Sequence, residues 1–404
     1  MLQDFNHHRK YALLNIINHF GPISRTSLTE ISGYRPATVG AYISDFLENK
    51  LVVESENISI GLGRKRTLLE INKTNLCSIC LSISPHFISI VVIQADGEII
   101  ADRKLSFDPS NPSDAALTDS VEIIRGFLRE FEDRQFIGIG LCKFLFEYSR
   151  GLETLNEWID REFMPALNAF EGIPAYYFSD ISLPSVAEKS FGKAKDKRNF
   201  MWINMANEIR ASLFFDGHPI SGASNAAGAL GHSVIDYSAH DELCTCGRRG
   251  CVEHTSAWPA VSAKIAKAMK EGVYTKLTAL GADPDNLTIS DVRVALDDGD
   301  RLCSYYVRQA AKEIGLAIAN AVNLLNPELI VTHGFMLRLG RVFKDPLEAT
   351  IRENVLPENG DFEICISNDF ENPMLLGAAA ELFGMFLYVD NYQWLYAMPV
   401  KGHE

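Results

Sequence analysis

The chain has 404 residues, of which 47% are hydrophobic and 22% are charged, values typical of a globular protein large enough for two or three domains. It has no run of about eighteen apolar residues, and residues 1–10 lack the layout of a signal peptide, so we expect a cytoplasmic protein without a membrane span. The formal charge of −14 argues against nucleic acid as a partner of the chain as a whole.

This charge is divided unevenly along the chain. Residues 1–75 carry nine Lys and Arg against seven Asp and Glu, a formal charge of +2. The remainder carries 29 against 45, a formal charge of −16. A small basic head on an acidic body is a common layout for a regulator that binds nucleic acid through its head.

Two short helices are predicted at the start of the head. Apolar residues at helical spacing predict the first, which Gly21-Pro22 ends. Ser24 is suited to cap the second, and Gly33 supplies the turn after it. The side chains expected to face the core are Leu13, Ile16, Ile17 and Phe20 of the first helix, and Leu28 and Ile31 of the second.

A third helix is predicted to open at Pro36, because proline fits the first turn of a helix. Its apolar face is formed by Val39, Ile43, Phe46 and Leu47. Its opposite face offers small or polar groups that can approach base edges and phosphates, namely Arg35, Thr38, Ala41 and Tyr42. The last helix of a helix-turn-helix enters the major groove in this way.

Two predicted strands with a basic tip follow the third helix. Residues 51–54 and 67–71 have strand character, and Gly61 and Gly63 allow a hairpin between them. At the tip, Arg64, Lys65 and Arg66 suit contact with phosphates or the minor groove. A three-helix packing module with a solvated basic tip would explain each feature singly. Their order along the chain favours a winged helix-turn-helix that binds DNA.

The eight cysteines include one tight cluster, Cys244, Cys246 and Cys251. Gly247 and Gly250 permit the chain to fold back so that the three thiolates meet. Zinc takes four N or S ligands, and His232 is the best candidate for the fourth. A closed shell of this kind is structural. The alternative is a set of buried or redox-active cysteines.

A second cysteine pair, Cys77 and Cys80, lies in a strand-like run. Alternate residues of a strand point to opposite faces, so these two thiols are expected to be core residues and not metal ligands.

Four motifs together resemble the ROK family of sugar-dependent repressors and sugar kinases. They are Ala-Gly-Ala-Leu-Gly-His ending at His232, Cys-x-Cys-Gly-x-x-Gly-Cys-x-Glu at 244–253, Asn-Pro-Glu-Leu-Ile at 326–330 and Leu-Gly-Ala-Ala at 376–379. The cysteine motif is highly specific to this family. The likeness covers nearly the whole chain, and the fused helix-turn-helix is similar to that of the repressor branch.

The resemblance implies an α/β protein: a winged helix-turn-helix followed by a two-lobed, actin-like (ribonuclease H-like) sugar-kinase fold. We therefore expect a DNA-binding domain over 1–75, a first lobe over 76–190, a second lobe with the zinc loop over 191–380 and an aromatic tail over 381–404. The resemblance also implies an effector site near the zinc loop, with Asp180, Glu253, His232 and Asn156 as candidate residues.

Kinase activity is not expected, because both phosphate loops of the family differ here. The first loop position reads Ser82-Ile83-Ser84-Pro85-His86, without the family's Asp and glycines, and Pro85 lacks an N–H donor. The second falls within residues 206–212, where Glu208 would repel phosphate. The alternative is a ROK-type sugar kinase with an accessory DNA-binding module.

The effector site also departs from the family pattern at two positions. Ala229 stands where sugar-binding members carry Glu, and Ser179 stands where kinases carry Asn before the catalytic Asp. Two readings remain open: a sugar or sugar-phosphate effector unlike glucose, or a pocket that binds no small ligand. In the second case the body could be a scaffold for a protein partner.

We expect double-stranded operator DNA as the partner and a homodimer or homotetramer as the assembly, since such operators are commonly pseudo-palindromic. The function expected is repression of carbohydrate-utilisation genes. The aromatic segment 386–398 is expected to dock on the head or a second subunit, or to be a final helix covering its own lobe.

Overall fold

The structure, a computed structural model, describes residues 2–55, 67–83, 87–108, 114–143, 153–178, 182–224, 226–236, 243–367 and 372–387, with the backbone alone for 2–8, 143, 153, 154 and 156. The chain divides into two units, Met1–Ser179 with Asn372–Glu404, and Asp180–Glu371. Among the described residues, none of the helices combines the length and apolar character needed to cross a bilayer.

The described part of the head, in the first unit, has three helices and a small antiparallel sheet. The helices are α1 (Leu2–Phe20), α2 (Arg25–Ser32) and α3 (Pro36–Glu48), and the strands are β1 (Ile23–Ser24), β2 (Val52–Ser55) and β3 (Leu68–Ile71). The sheet order is β1-β3-β2. Ser24 caps α2 through a 3.1 Å hydrogen bond from the Ser27 N–H, and Gly33 ends it with φ +67°. The predicted helix boundaries and cap are confirmed.

Six of the ten predicted core residues of the head are buried, and three, Ile16, Phe20 and Leu47, are half-buried. Leu13, Ile17 and Leu28 are buried, and so are Val39, Ile43 and Phe46 of α3. Ile31 was expected to face inward but is 48% exposed, so that expectation is wrong. The helix ends at Ser32, so Ile31 lies in its last turn, after the buried residue Leu28.

The rest of the first unit is a five-stranded sheet between two helical layers. Its strands are β4 (Leu76–Ile83), β5 (Phe87–Gln94), β6 (Ile99–Ser106), β7 (Gln135–Lys143) and β8 (Ala175–Phe178). Its helices are α4 (Asp114–Glu130), α5 (Glu153–Trp158), α6 (Met164–Asn168) and α14 (Pro373–Leu387). A π-helical turn, Ile159–Phe163, joins α5 to α6. Cys77 and Cys80 lie fully buried in β4, as predicted.

The second unit has a second five-stranded sheet. Its strands are β9 (Phe200–Met205), β10 (Ile209–Phe215), β11 (His218–Ile220), β12 (Leu329–His333) and β13 (Glu363–Ile366). Its helices are α7 (Leu183–Ser190), α8 (Val252–Ser256), α9 (Trp258–Lys270), α10 (Lys276–Ala279), α11 (Ile289–Asp297), α12 (Arg301–Leu325) and α13 (Arg341–Asn354). The core lies between the sheet and helices α8, α9 and α12, and includes Met201, Ile203 and Ile314.

The first unit consists of two separate parts of the chain, whereas each of the four predicted domains is one continuous segment. Helix α14 belongs to the first unit, because it packs on β4 and β7. Gly138 and Gly140 of β7 make this possible, since a Cβ at either would lie 2.9 or 3.3 Å from Leu382 of α14. Helix α7 belongs to the second unit and packs on β9 and β10, so this unit begins before residue 191.

Candidate functional site

Two short segments of the second unit pair to build a cluster of candidate metal ligands. His232 ends a 3-10 turn, and the chain then runs antiparallel to the segment before α8, with a bridge between Val234 and Cys251. A backbone N–H of the first segment, from Ile235, donates to the carbonyl of Gly250 at 2.9 Å. This pairing holds Cys251 next to His232.

A tight turn brings in the two remaining thiols. The N–H of Gly247 donates to the carbonyl of Cys244 at 2.8 Å, and Gly247 has φ +82°. Gly250 has φ +73°, and a Cβ there would lie 2.0 Å from the carbonyl oxygen of Asp236. The backbone conformation and the close approach at Gly250 both require glycine.

The four predicted ligands meet at one point. The thiol sulfurs of Cys246 and Cys251 are 3.6 Å apart, and Cys244 Sγ is 3.6 Å from His232 Nδ1. All four candidate ligand atoms lie within 4.8 Å of one another. These side chains could therefore hold a metal ion.

Two of the thiols have opposite pKa shifts. Burial, followed by a hydrogen bond with Cys246, raises the pKa of Cys251 to about 12. Burial also acts to raise the pKa of Cys246, but hydrogen bonds from the backbone and side chain of Arg248 outweigh it, so this pKa lies below its usual value. Arg248 thus favours the thiolate form of Cys246, the form that binds a metal.

Glu253 of α8 lies directly beside the cluster. Its Oε2 accepts the backbone N–H of Ile209 at 3.1 Å, and its Oε1 lies 3.8 Å from His232 Nε2. The side chain is 17% exposed. Burial raises its pKa, while the Ile209 hydrogen bond and the His232 charge oppose that rise. The carboxylate therefore connects the first residue of β10 to the candidate ligand His232.

The turn between β9 and β10 carries an ion pair next to this carboxylate. Glu208 and Arg210 are two residues apart, so their side chains lie on one face of the hairpin. Glu208 Oε2 is 2.7 Å from Arg210 Nε. Ile209, which lies between them, donates its N–H to Glu253. Arg210 is not among the residues predicted from the sequence, although the Glu-x-Arg spacing at the start of a strand is the signal that could have found it.

The structure brings together two of the four candidate effector residues, His232 and Glu253. Asp180 lies outside the described residues. Asn156 lies in α5 of the first unit, where only its backbone is described. Its assignment and that of Asp180 stay predictions.

In the head, α3 presents the predicted DNA-contacting residues. Arg35 is exposed and precedes α3 as its N-cap, while Thr38 and Tyr42 are half-buried on the helix. The Tyr42 ring stacks against Phe46, with centroids 6.5 Å apart. The predicted tip residues Arg64, Lys65 and Arg66 lie outside the described residues, and their contact with DNA stays a prediction.

Comparison with known proteins finds the ROK family model matching residues 78–383. The xylose repressor of Caldicellulosiruptor bescii is 23% identical over 377 residues, covering 92% of this chain and 94% of that protein. The DNA-binding transcriptional dual regulator NagC of Escherichia coli is 23% identical over 351 residues, covering 85% of this chain and 84% of that protein.

Two solved structures show the fold. A ROK family transcriptional regulator, a homologue of the E. coli MLC protein, has a TM-score of 0.76 at 22% identity and covers 97% of this chain and 99% of its own. A ROK family glucokinase from Streptomyces griseus, in complex with glucose and AMPPNP, has a TM-score of 0.59 at 17% identity and covers 75% of this chain and 98% of its own. The predicted fold class is confirmed.

Proposed function

Because the chain belongs to the ROK family, we propose that it is a DNA-binding transcriptional repressor of carbohydrate-utilisation genes. The observation that carries this proposal is the helix-turn-helix of α2, Gly33 and α3 at the start of a ROK body. Relatives named as a xylose repressor and as a DNA-binding regulator align over 92% and 85% of the chain, so the alignments extend beyond the ROK body. We also propose that it acts in the cytoplasm.

The head supports DNA binding through charge and exposure. The exposed Arg35 and the positive end of the α3 dipole lie at the same point, where a phosphate or a base edge could be bound. Thr38 and Tyr42 follow along the helix, and the basic residues Arg64, Lys65 and Arg66 are proposed to contact the backbone or the minor groove. We propose a homodimer or homotetramer, because a two-fold assembly matches a pseudo-palindromic operator.

Zinc is the metal proposed for the cluster in the second unit. With Zn–S about 2.3 Å and Zn–N about 2.0 Å, a tetrahedral ion separates its ligand atoms by about 3.5–3.8 Å. The two measured separations, both 3.6 Å, fit that geometry. Three thiolates and one imidazole would close the shell, so the metal would order the loop and provide no open position for catalysis. Glu253 faces the other ring nitrogen of His232 and would orient the ligand.

A kinase role is disfavoured by the hairpin at the second phosphate-loop position. Phosphoryl transfer relies on backbone N–H groups that cradle the nucleotide. Here the turn has a carboxylate at Glu208, and the next N–H, that of Ile209, is already donated to Glu253. We propose that this body senses a saccharide through His232, Glu253, Asp180 and Asn156 without phosphorylating it.

Footprinting on the DNA upstream of the protein's own coding region tests the proposal. We expect protection of a site with two-fold symmetry at moderate salt. Arg35→Ala, which removes a contact to DNA, should weaken binding about tenfold or more, as loss of a base or phosphate contact commonly does. Arg129→Ala is the matched control, because Arg129 is an exposed arginine of α4 outside the head.

Two results would count against the proposal. The first is absence of protection by the intact protein, or equal loss of binding in the Arg129→Ala control. The second is ATP consumption with a panel of hexoses that Asp180→Asn abolishes, which would support a sugar kinase with an accessory head.

A further inference from the structure

Two carboxylates flank the hairpin turn beside the candidate effector site. The N–H of Ile209 donates to Glu253, so the residue before it, Glu208, is fixed close to the same site. A second hydrogen bond, 3.3 Å from Asn204 Nδ2 to the Glu208 carbonyl, holds the turn on its other side. These two hydrogen bonds hold the main chain at Glu208 and Ile209, from which the Glu208 side chain extends.

The guanidinium of Arg210 is already paired with a carboxylate at this turn. Its Nε lies 2.7 Å from Glu208 Oε2. The Glu208 side chain is 49% exposed, and that of Arg210 is 24% exposed. An anionic group that approached Arg210 would have to compete with the Glu208 carboxylate for the same guanidinium.

The same pair is well suited to hydroxyl groups. The contact uses one oxygen of Glu208 and one nitrogen of Arg210. The second oxygen of Glu208 can still accept a hydrogen bond, and the two terminal nitrogens of Arg210 can still donate. Neighbouring hydroxyls of a saccharide both donate and accept, and so match this arrangement. A phosphate or carboxylate group only accepts, so it gains nothing from Glu208.

We infer that Glu208 is a specificity-determining residue that selects an uncharged saccharide and rejects a phosphorylated or carboxylated one. The inference rests on the proposed effector site at His232 and Glu253. The carboxylate acts in two ways: it occupies the guanidinium that could bind an anion, and it repels the anion directly.

Glu208→Gln tests this inference, because it removes the charge and keeps the shape. Calorimetric titration of the full-length protein would compare glucose with glucose 6-phosphate and glucuronate, and N-acetylglucosamine with its 6-phosphate. The wild-type protein should bind at least one uncharged member about tenfold or more tightly than its charged partners, since Coulomb repulsion near a protein surface is of this order. Glu208→Gln should reduce that ratio about tenfold, mainly by tighter binding of the charged member.

Glu271→Gln is the matched control, because Glu271 is an exposed residue after α9 and should leave the ratio unchanged. Tighter binding of a charged sugar by the wild-type protein, or an unchanged ratio in Glu208→Gln, would overturn the inference while leaving the proposed repressor intact. If none of the sugars bound to either protein, the effector site itself would be refuted, and footprinting of the same samples would report separately on DNA binding.

Discussion

The two five-stranded sheets have the same strand order and direction but differ in what packs against them. In each, the first three strands pair antiparallel and the last two join in parallel, giving β6-β5-β4-β7-β8 in one and β11-β10-β9-β12-β13 in the other. The first sheet is covered by α14 on glycines of β7. In the second, the backbone of β10 donates a hydrogen bond to Glu253, which lies beside the candidate metal ligands. The strands thus form a common scaffold, and the two candidate functions differ because the segments around the strands differ.

Of the substitutions that test this difference between the two sheets, one in the cysteine cluster is expected to have the largest effect on stability. Cys246→Ser removes a proposed zinc ligand from a half-buried position, so the substitution itself should disturb packing little. We expect purified wild-type protein to hold one zinc per chain and the variant to lose it, with a lower melting temperature, because metal binding contributes directly to folding. Metal analysis and calorimetry would measure both.

Cys365→Ser is the control for that experiment, because Cys365 is also half-buried and lies outside the cluster. It should keep its zinc. A wild-type protein without zinc, or Cys246→Ser with unchanged metal content and stability, would refute the closed site.

The next prediction compares the loss of stability on replacing two glycines, one beside the second sheet and one in the first sheet. Gly228 has φ +85°, and a Cβ there would lie 2.0 Å from the carbonyl oxygen of Ala211. Gly228→Ala should therefore cost about 3 kcal/mol or more in the free energy of unfolding. At Gly140 the nearest atoms belong to the side chains of Phe178 and Leu382, at 3.1 and 3.3 Å, which can shift. Gly140→Ala should cost about 1–2 kcal/mol.

Urea unfolding of both variants would measure this difference. Gly126→Ala, in α4 with open space around a Cβ, should be neutral or stabilising by about 0.5–1 kcal/mol. If Gly228→Ala proved as mild as Gly140→Ala, the close approach of the loop to β10 would be wrong.

A smaller, pH-dependent effect is expected at Asp300, which is buried in the second unit. Its carboxylate accepts hydrogen bonds from Thr275 Oγ1 at 2.8 Å, Lys276 N at 2.6 Å and Cys303 N at 2.7 Å. Burial opposes ionisation, but these hydrogen bonds outweigh it and lower its pKa below the usual 3.8. The stabilisation is therefore present above that value and is lost as the pH falls toward the lowered pKa.

Asp300→Asn should lower the free energy of unfolding by about 2 kcal/mol at pH 7, because the amide cannot accept all three hydrogen bonds. It should also flatten the loss of stability below about pH 4. Asp345→Asn, at an exposed position of α13, is the control. Equal acid sensitivity of wild type and Asp300→Asn would contradict the assignment.

The features that the sequence predicted well are local ones. The cap at Ser24, the turn at Gly33 and the proline start of α3 depend on backbone rules that act within a few residues. The metal-ligand cluster could be predicted because its ligands lie within twenty residues, His232 to Cys251, and its glycines mark the turns.

The features that the sequence did not predict depend on tertiary packing. Strand β1 is only two residues long and exists because it pairs with β3, far along the chain. Ile31 has the spacing of a core residue but lies in the last turn of a short helix. The return of α14 to the first unit depends on glycines of β7 that only the folded sheet brings opposite Leu382.

The most direct test of the central claim is whether a saccharide changes operator binding by the intact protein. Fluorescence anisotropy would follow the footprinted DNA fragment with and without each sugar at fixed salt. We predict that one uncharged saccharide shifts the Kd for DNA about fivefold or more, the usual range of coupling between two sites, with no ATP consumed. Binding of DNA that no sugar alters, together with sugar-dependent ATP consumption, would contradict the account.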